Sequence, residues 1–259
     1  MRKIVILFLC IICADKLIGQ SDSAASVIPV KDSSSIIKDQ ITVSQEVFKE
    51  YARVEFNPGF SLPTGNFASG DYTNPLAGYA KEGYSLGANF SVLLYKGLSF
   101  IACYSRQMNV FDERSFAVNA LESKKNYTVQ TLGNWKNHFI LGGLSYDIAL
   151  EDENYLTPRI LFGACLARTP EYELLPSSTN LTATTREVVE SEETVAFAMR
   201  LGIGLKKNLT KHIFVSINPD LYYSALNLNI NKSFTNMQKP SQSVSIVSLS
   251  ISLGFRMYR

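Results

Sequence analysis

The chain has 259 residues, of which 46% are hydrophobic and 19% charged, with a formal net charge of +2. A balance this near neutral, without any dense Lys/Arg cluster, argues against a nucleic-acid partner. Length and composition allow one domain of ordinary size, or a barrel with a tail.

The chain opens with Met1-Arg2-Lys3 and the apolar run Ile4–Ala14. A positive n-region before so short an apolar run reads as a secretory signal peptide over 1–19, since a spanning helix needs about 20 apolar residues. Cleavage is expected after Gly19, with Ala14 as the rival site. Cys10 and Cys13 would leave with the signal, and the bulky Leu9 and Ile12 argue against a lipid-anchored cysteine. Residues 20–48 are polar and Ser-rich and read as a flexible periplasmic N-terminal segment.

From Ala52 onward the pattern changes to period 2, the signature of strands with two unlike faces. The first predicted strand, Ala52–Leu62, sets Val54, Phe56, Pro58, Phe60 and Leu62 against Arg53, Glu55, Asn57, Gly59 and Ser61. A long loop, 63–83, leads to Tyr84–Val92. The tight turn Tyr95-Lys96-Gly97 joins this to a third strand carrying Leu98, Phe100, Ala102 and Tyr104. A second long loop, 108–134, precedes a fourth strand near Trp135–Ile148, with Asp147 inward. The turn 151–154 leads to a fifth strand, with Leu156, Ile160, Phe162, Ala164 and Leu166 against Thr157, Arg159, Gly163 and Cys165. A third long loop, 170–193, precedes Thr194–Gly204, and Lys206-Lys207-Asn208 is read as a short turn. Ile213–Leu221 is the seventh strand. The loop 225–243 leads to the last, where Val247, Leu249, Ile251, Leu253, Phe255 and Met257 alternate with serines, Gly254 and Arg256.

Long loops and short turns thus alternate across eight strands. A strand of about ten residues with one apolar face crosses a bilayer at a tilt, and only a closed barrel satisfies every strand edge there. The expected fold is all-β: an eight-stranded antiparallel up-and-down transmembrane β-barrel over 49–259. Short turns and both termini would face the periplasm and long loops the exterior. The rival is a soluble lipocalin-like barrel with its apolar face inward. Against it, the polar face is mostly Gly, Ser and Ala, which suits a crowded lumen, and Tyr84, Tyr95, Tyr104, Tyr146, Tyr155 and Tyr223 stand near strand ends like an interfacial girdle.

The motifs Phe56-Asn57-Pro58-Gly59-Phe60, Pro63-Thr64-Gly65-Asn66-Phe67, Leu141-Gly142-Gly143-Leu144-Ser145-Tyr146, Leu161-Phe162-Gly163 and the terminal Ile251–Arg259 strand carry a resemblance. Over residues 51–259 the chain resembles the eight-stranded outer-membrane barrels that include OmpA's transmembrane domain, OmpX and OmpW. It is most similar to the porin-family barrels of Bacteroidota. The resemblance implies residence in the cell outer membrane, contact with its lipid and lipopolysaccharide, and recognition of the last strand by the barrel-insertion machinery. Such barrels usually end on an aromatic residue, whereas here Tyr258 is followed by Arg259. An accessory role in a secretion complex, as in PorT-like barrels, is compatible with the same architecture.

The inward face collects Arg53, Glu55, Asp147, Arg159, Arg200, Asp220 and Arg256, expected to form a structural ion-pair network filling the lumen. A narrow path for small solutes is the alternative reading of those charges. Cys103 and Cys165 are expected as unpaired inward fillers, because strands that are not neighbours rarely meet disulfide spacing. A lipid-modifying enzyme like PagL or PagP would need a His that activates a Ser. His138 and His212 are the only histidines, and neither has a sequence neighbour that suits. The chain is therefore read as non-enzymatic and without cofactor, acting in a structural, adhesive or surface-interaction role through its loops. Phe67, Tyr72, Tyr79, Phe111, Phe116, Tyr127, Trp135, Tyr172, Phe234 and Met237 are either contact anchors or the self-packing of long loops.

Overall fold

The computed structural model describes residues 50–71, 73–74, 76–122, 127–150, 153–176, 187–226 and 242–258. The predicted signal peptide, the segment 20–48, and Tyr72, Phe234 and Met237 lie outside the described residues. In chain order the elements are β1 (Glu50–Pro63), α1 (Gly65–Ala68), β2 (Ala80–Tyr95), β3 (Leu98–Phe111), α2 (Glu113–Glu122), β4 (Tyr127–Thr131), β5 (Trp135–Tyr146), β6 (Ile148–Ala149), β7 (Asn154–Arg168), β8 (Tyr172–Pro176), β9 (Glu187–Val189), β10 (Glu193–Asn208), β11 (Ile213–Leu226) and β12 (Gln242–Tyr258).

Eight of these close a barrel. The order β10-β11-β12-β1-β2-β3-β5-β7 is sealed by pairing of β7 with β10, every neighbour antiparallel. The first and last barrel strands meet, with Arg53 opposite Arg256 and Phe60 opposite Leu249. The architecture expected from the alternation is present.

Which face points inward is equally plain. Ile251 is 64% exposed, whereas its neighbours Ser250 and Ser252 are 4% and 0% exposed. Phe56, Phe60, Phe90, Ile140, Phe162, Val195, Phe197, Ile203 and Phe255 likewise stand on the outer wall, while Ser, Asn and charged side chains fill the interior. An apolar belt around a polar interior is stable only in a hydrocarbon surround, so the soluble barrel is excluded. Among the described residues no helix is long and apolar enough to cross a membrane; strands make the crossing.

Several segments differ from the sequence reading. The residues Lys206-Lys207-Asn208, expected to turn, continue β10, and the chain reverses at 209–212 instead. The alternation of inward Arg200, Gly202 and Gly204 runs on to Lys206, which is 2% exposed. The loop expected over 63–83 contains α1 and yields its last residues to β2. The loops expected over 108–134 and 170–193 supply α2 and a second sheet, in the order β4-β8-β9. Asp112 caps α2: its Oδ1 accepts from Ser115 N at 3.2 Å and its Oδ2 from Ser115 Oγ at 2.8 Å, which satisfies donors that a helix start leaves bare.

At the opposite end the β2–β3 hairpin turns through Lys96 and Gly97, both at positive φ (35° and 87°), the backbone that two-residue hairpins demand. This turn supports a break in the next wall, where Asp147 N donates to Gly97 O at 3.0 Å between β5 and β6.

Candidate functional site: the filled lumen

The interior is layered. At mid-height Arg200 of β10 reaches Asp220 of β11, Nη2 to Oδ2 at 2.7 Å, while its Nη1 lies 3.3 Å from Asn89 Oδ1 and 2.9 Å from Cys103 Sγ. Its guanidinium carbon stacks 5.2 Å from the ring of Tyr222. Asn89 Nδ2 donates to Glu55 Oε2 at 2.9 Å. Arg159 Nε stands 3.0 Å from Asp220 Oδ1, and its Nη2 donates to Asn218 Oδ1. Asn218 Nδ2 donates to Ser252 Oγ at 2.5 Å, and that hydroxyl donates to Asn57. The chain of contacts draws on β1, β2, β3, β7, β10, β11 and β12.

Two glycines make room for it. A Cβ on Gly202 would occupy the place of the Asp220 carboxylate, and one on Gly204 would press on Asn218 Oδ1. What remains open beside Arg200 is about 10 Å³, lined by Asn57, Ser85, Cys103, Ser105 and Tyr222 among others, room for about one water.

At the short-turn end a second cluster gathers on Asp147. Lys206 Nζ lies 2.9 and 3.1 Å from its two oxygens, Arg53 Nη1 donates to Oδ2 at 2.5 Å, and Thr157 Oγ1 donates to Oδ1 at 2.7 Å. Burial alone would raise the Asp147 carboxyl, but Lys206 and Arg53 beside it hold it below the usual carboxylate range. Glu50 pairs with Arg53 and lies 3.5 Å from Arg256 Nε. Lys206 and Arg256 both face the ring of Phe214, at 5.1 and 5.3 Å. Below them a vestibule of about 260 Å³ opens outward, lined by Glu50, Arg53, Lys96, Asp147, Tyr155 and Arg256.

All seven inward charges picked from the sequence face the interior, in two groups: Arg159, Arg200, Asp220 and Glu55 at mid-height; Arg53, Asp147 and Arg256 at the mouth. Sequence reasoning missed Lys206 and Glu50. The alternating register of β10, carried two residues further, identifies Lys206.

The long-loop end is closed by aromatics. Phe67 of α1 meets Trp135 edge-on at 5.1 Å, Phe116 of α2 meets Tyr79 at 5.2 Å and Tyr172 of β8 at 4.9 Å, and Trp135 Nε1 donates to Gly78 O at 2.9 Å. Phe111, Val129, Leu226, Val244 and Ile246 join the same buried cluster. Phe139 and Tyr222, 4.8 Å apart, connect it to the Arg200 layer. Of the loop aromatics singled out in the sequence, Phe67, Tyr79, Phe111, Phe116, Trp135 and Tyr172 thus pack into this cluster rather than standing free as contact anchors.

Neither histidine belongs to the interior. His138 lies on the outer wall with Nδ1 2.9 Å from Tyr104 Oη, and among the described residues no serine hydrogen-bonds to it. His212, in the reversal before β11, meets Tyr258 edge-on at 5.3 Å. Cys103 and Cys165 are both buried and unpaired.

No family model and no curated protein matches the sequence. Among solved structures the chain is similar to Ail, the attachment invasion locus protein of Yersinia pestis, at 12% identity over 81% of this chain and 99% of that one, TM-score 0.44. Neisserial surface protein A matches at 12% identity over 80% and 97% of the two chains, TM-score 0.44. OprG from Pseudomonas aeruginosa matches at 11% identity over 81% and 98%, TM-score 0.34. The architecture assigned above rests on this chain's own registers and two faces.

Proposed function

We propose that this outer-membrane barrel is a non-conducting, non-catalytic protein whose folded cap acts as a surface for adhesion or partner docking outside the cell. The carrying observation is the filled interior: the Arg200–Asp220 layer leaves room for about one water, and the aromatic cluster lies above it. With the lumen occupied, the long-loop end, built from α1, α2 and the β4-β8-β9 sheet, is the part free to evolve a specific contact. In this reading the long loops face outward and the short turns face the periplasm. In planar bilayers the refolded protein is expected to give no steady current. Stable ohmic steps, altered in ion selectivity by Arg200→Leu, would overturn the reading.

The vestibule supports a second reading. Its walls carry Arg53, Lys96 and Arg256 against Glu50 and Asp147, a slight cationic excess that suits an anion-preferring entry. In that reading the mid-height layer is a gate, and conductance appears when it is weakened. A lipid-modifying activity has no support from His138, and unchanged lipid A mass on overexpression is the expected result.

A further inference from the structure

The outer wall is not uniform. Where β5 starts and β7 ends, Lys136 faces Arg168 across the ladder, and Arg106 of β3 faces His138. All lie on the lipid-facing side: Arg106 and Arg168 are exposed, Lys136 and His138 half-buried. Neighbouring strands run about 4.8 Å apart, so three cations share a patch about 10 Å wide at the long-loop end. Among the described residues, Glu193 stands beside them, 3.6 Å from Arg168 Nη1, and Arg168 Nε donates to Ser191 Oγ at 2.8 Å. The opposite flank differs, because the outward residues at the same ends of β11, β12 and β1 are Tyr223, Ala225, Ser243, Ser245, Phe60 and Leu62, all uncharged.

Beneath the cations lies a groove of about 650 Å³, walled by Tyr104, Ile140, Leu166 and Val195 and rimmed by Lys136, His138 and Arg168. Charge at the rim and hydrocarbon below is the complement of an amphiphile with an anionic head. Guanidinium forks bind phosphate oxygens in pairs and lysine adds a point charge. A phosphate at this boundary meets less screening than in bulk water.

We infer that the β3-β5-β7-β10 flank is a binding site for a phosphorylated outer-leaflet lipid. Its phosphate groups lie among Arg106, Lys136 and Arg168, and its acyl chains lie on Ile140, Leu166 and Val195. The site rests on the membrane orientation proposed above and adds a specific lipid to it.

Native mass spectrometry of the refolded full chain tests this, in micelles doped with bis-phosphorylated lipid A, the same lipid stripped of phosphate, or phosphatidylcholine. The phosphorylated lipid is expected to stay bound roughly tenfold better than the dephosphorylated form. Arg106→Gln, Lys136→Gln and Arg168→Gln together are expected to erase that preference. Lys207→Gln, at the short-turn end, is expected to leave it intact. Equal retention of the two lipids, or a triple variant that binds like the wild type, overturns the inference. Each sample is first checked for a heat-modifiable barrel. A folded barrel without lipid preference sinks this site alone, whereas a chain that forms no such barrel sinks the membrane reading.

Discussion

Arg200 and Asp220 form an ion pair of 2.7 Å whose side chains are only 2% and 1% exposed, and Arg159 lies on the other oxygen of the same carboxylate. One aspartate therefore holds two buried guanidiniums from different strands. That asymmetry sets what each substitution should do.

Removing one partner of a buried pair costs about 3–5 kcal/mol, largely because the other charge is stranded. Arg200→Leu leaves Asp220 with Arg159 and should lower the urea midpoint clearly. Asp220→Leu strands both arginines and should lower it further. The double variant should recover part of the summed loss. The same cycle with Glu55 should return little coupling, because Asn89 stands between Glu55 and Arg200. An unchanged midpoint with altered conductance would promote the gated pore.

The mouth cluster predicts a pH dependence. The Asp147 carboxyl is held low by Lys206 and Arg53 despite its burial, so its folded value lies below the unfolded one of about 3.9. Its contribution is fully present above that pH and fades as the pH falls through the lower, folded value. Asp147→Asn should lower the midpoint at pH 7, and the gap from wild type should close as both are titrated below about pH 3.9. A gap that stays constant with pH would show that the carboxylate charge is not what stabilises the mouth.

Trp135 is the single tryptophan of the chain and is fully buried against Phe67, with its indole N–H on Gly78. Its emission should be blue-shifted and shielded from iodide in the folded protein. Phe67→Ala removes the ring packed on it and should shift the emission to the red and admit the quencher, without loss of heat-modifiable migration. Trp emission indifferent to Phe67 would mean that the cap does not close over the lumen.

Sidedness is open to proteolysis of intact cells, since exposed loop tips are the susceptible sites. Trypsin should cut within 108–134, 170–193 or 225–243, and should spare Lys96, Lys207 and Lys211. The reverse pattern would invert the topology. Outer-membrane fractionation with slower or faster migration on boiling checks the location, and release into the soluble periplasm would refute it.

Strand number, the two faces and the alternation of long and short connections were legible in the chain alone, because period 2 is a local property that each strand displays without its neighbours. Seven inward charges followed from the same period, as did the small residues at Gly202 and Gly204. Lys206 was missed for a local reason too: two lysines and an asparagine look like a turn when the strand's end is not known. Tertiary structure alone decided the rest. That Arg200 meets Asp220 directly and reaches Glu55 only through Asn89 depends on how far each strand is displaced along the next, which no single strand encodes. The loop aromatics are apolar surface wherever they stand, and only the return of α1, α2 and β8 over the barrel end tells a buried cluster from exposed anchors. Arg106, Lys136 and Arg168 are scattered in sequence, each unremarkable in its own strand. Barrel closure, by fixing register, brings them to one flank.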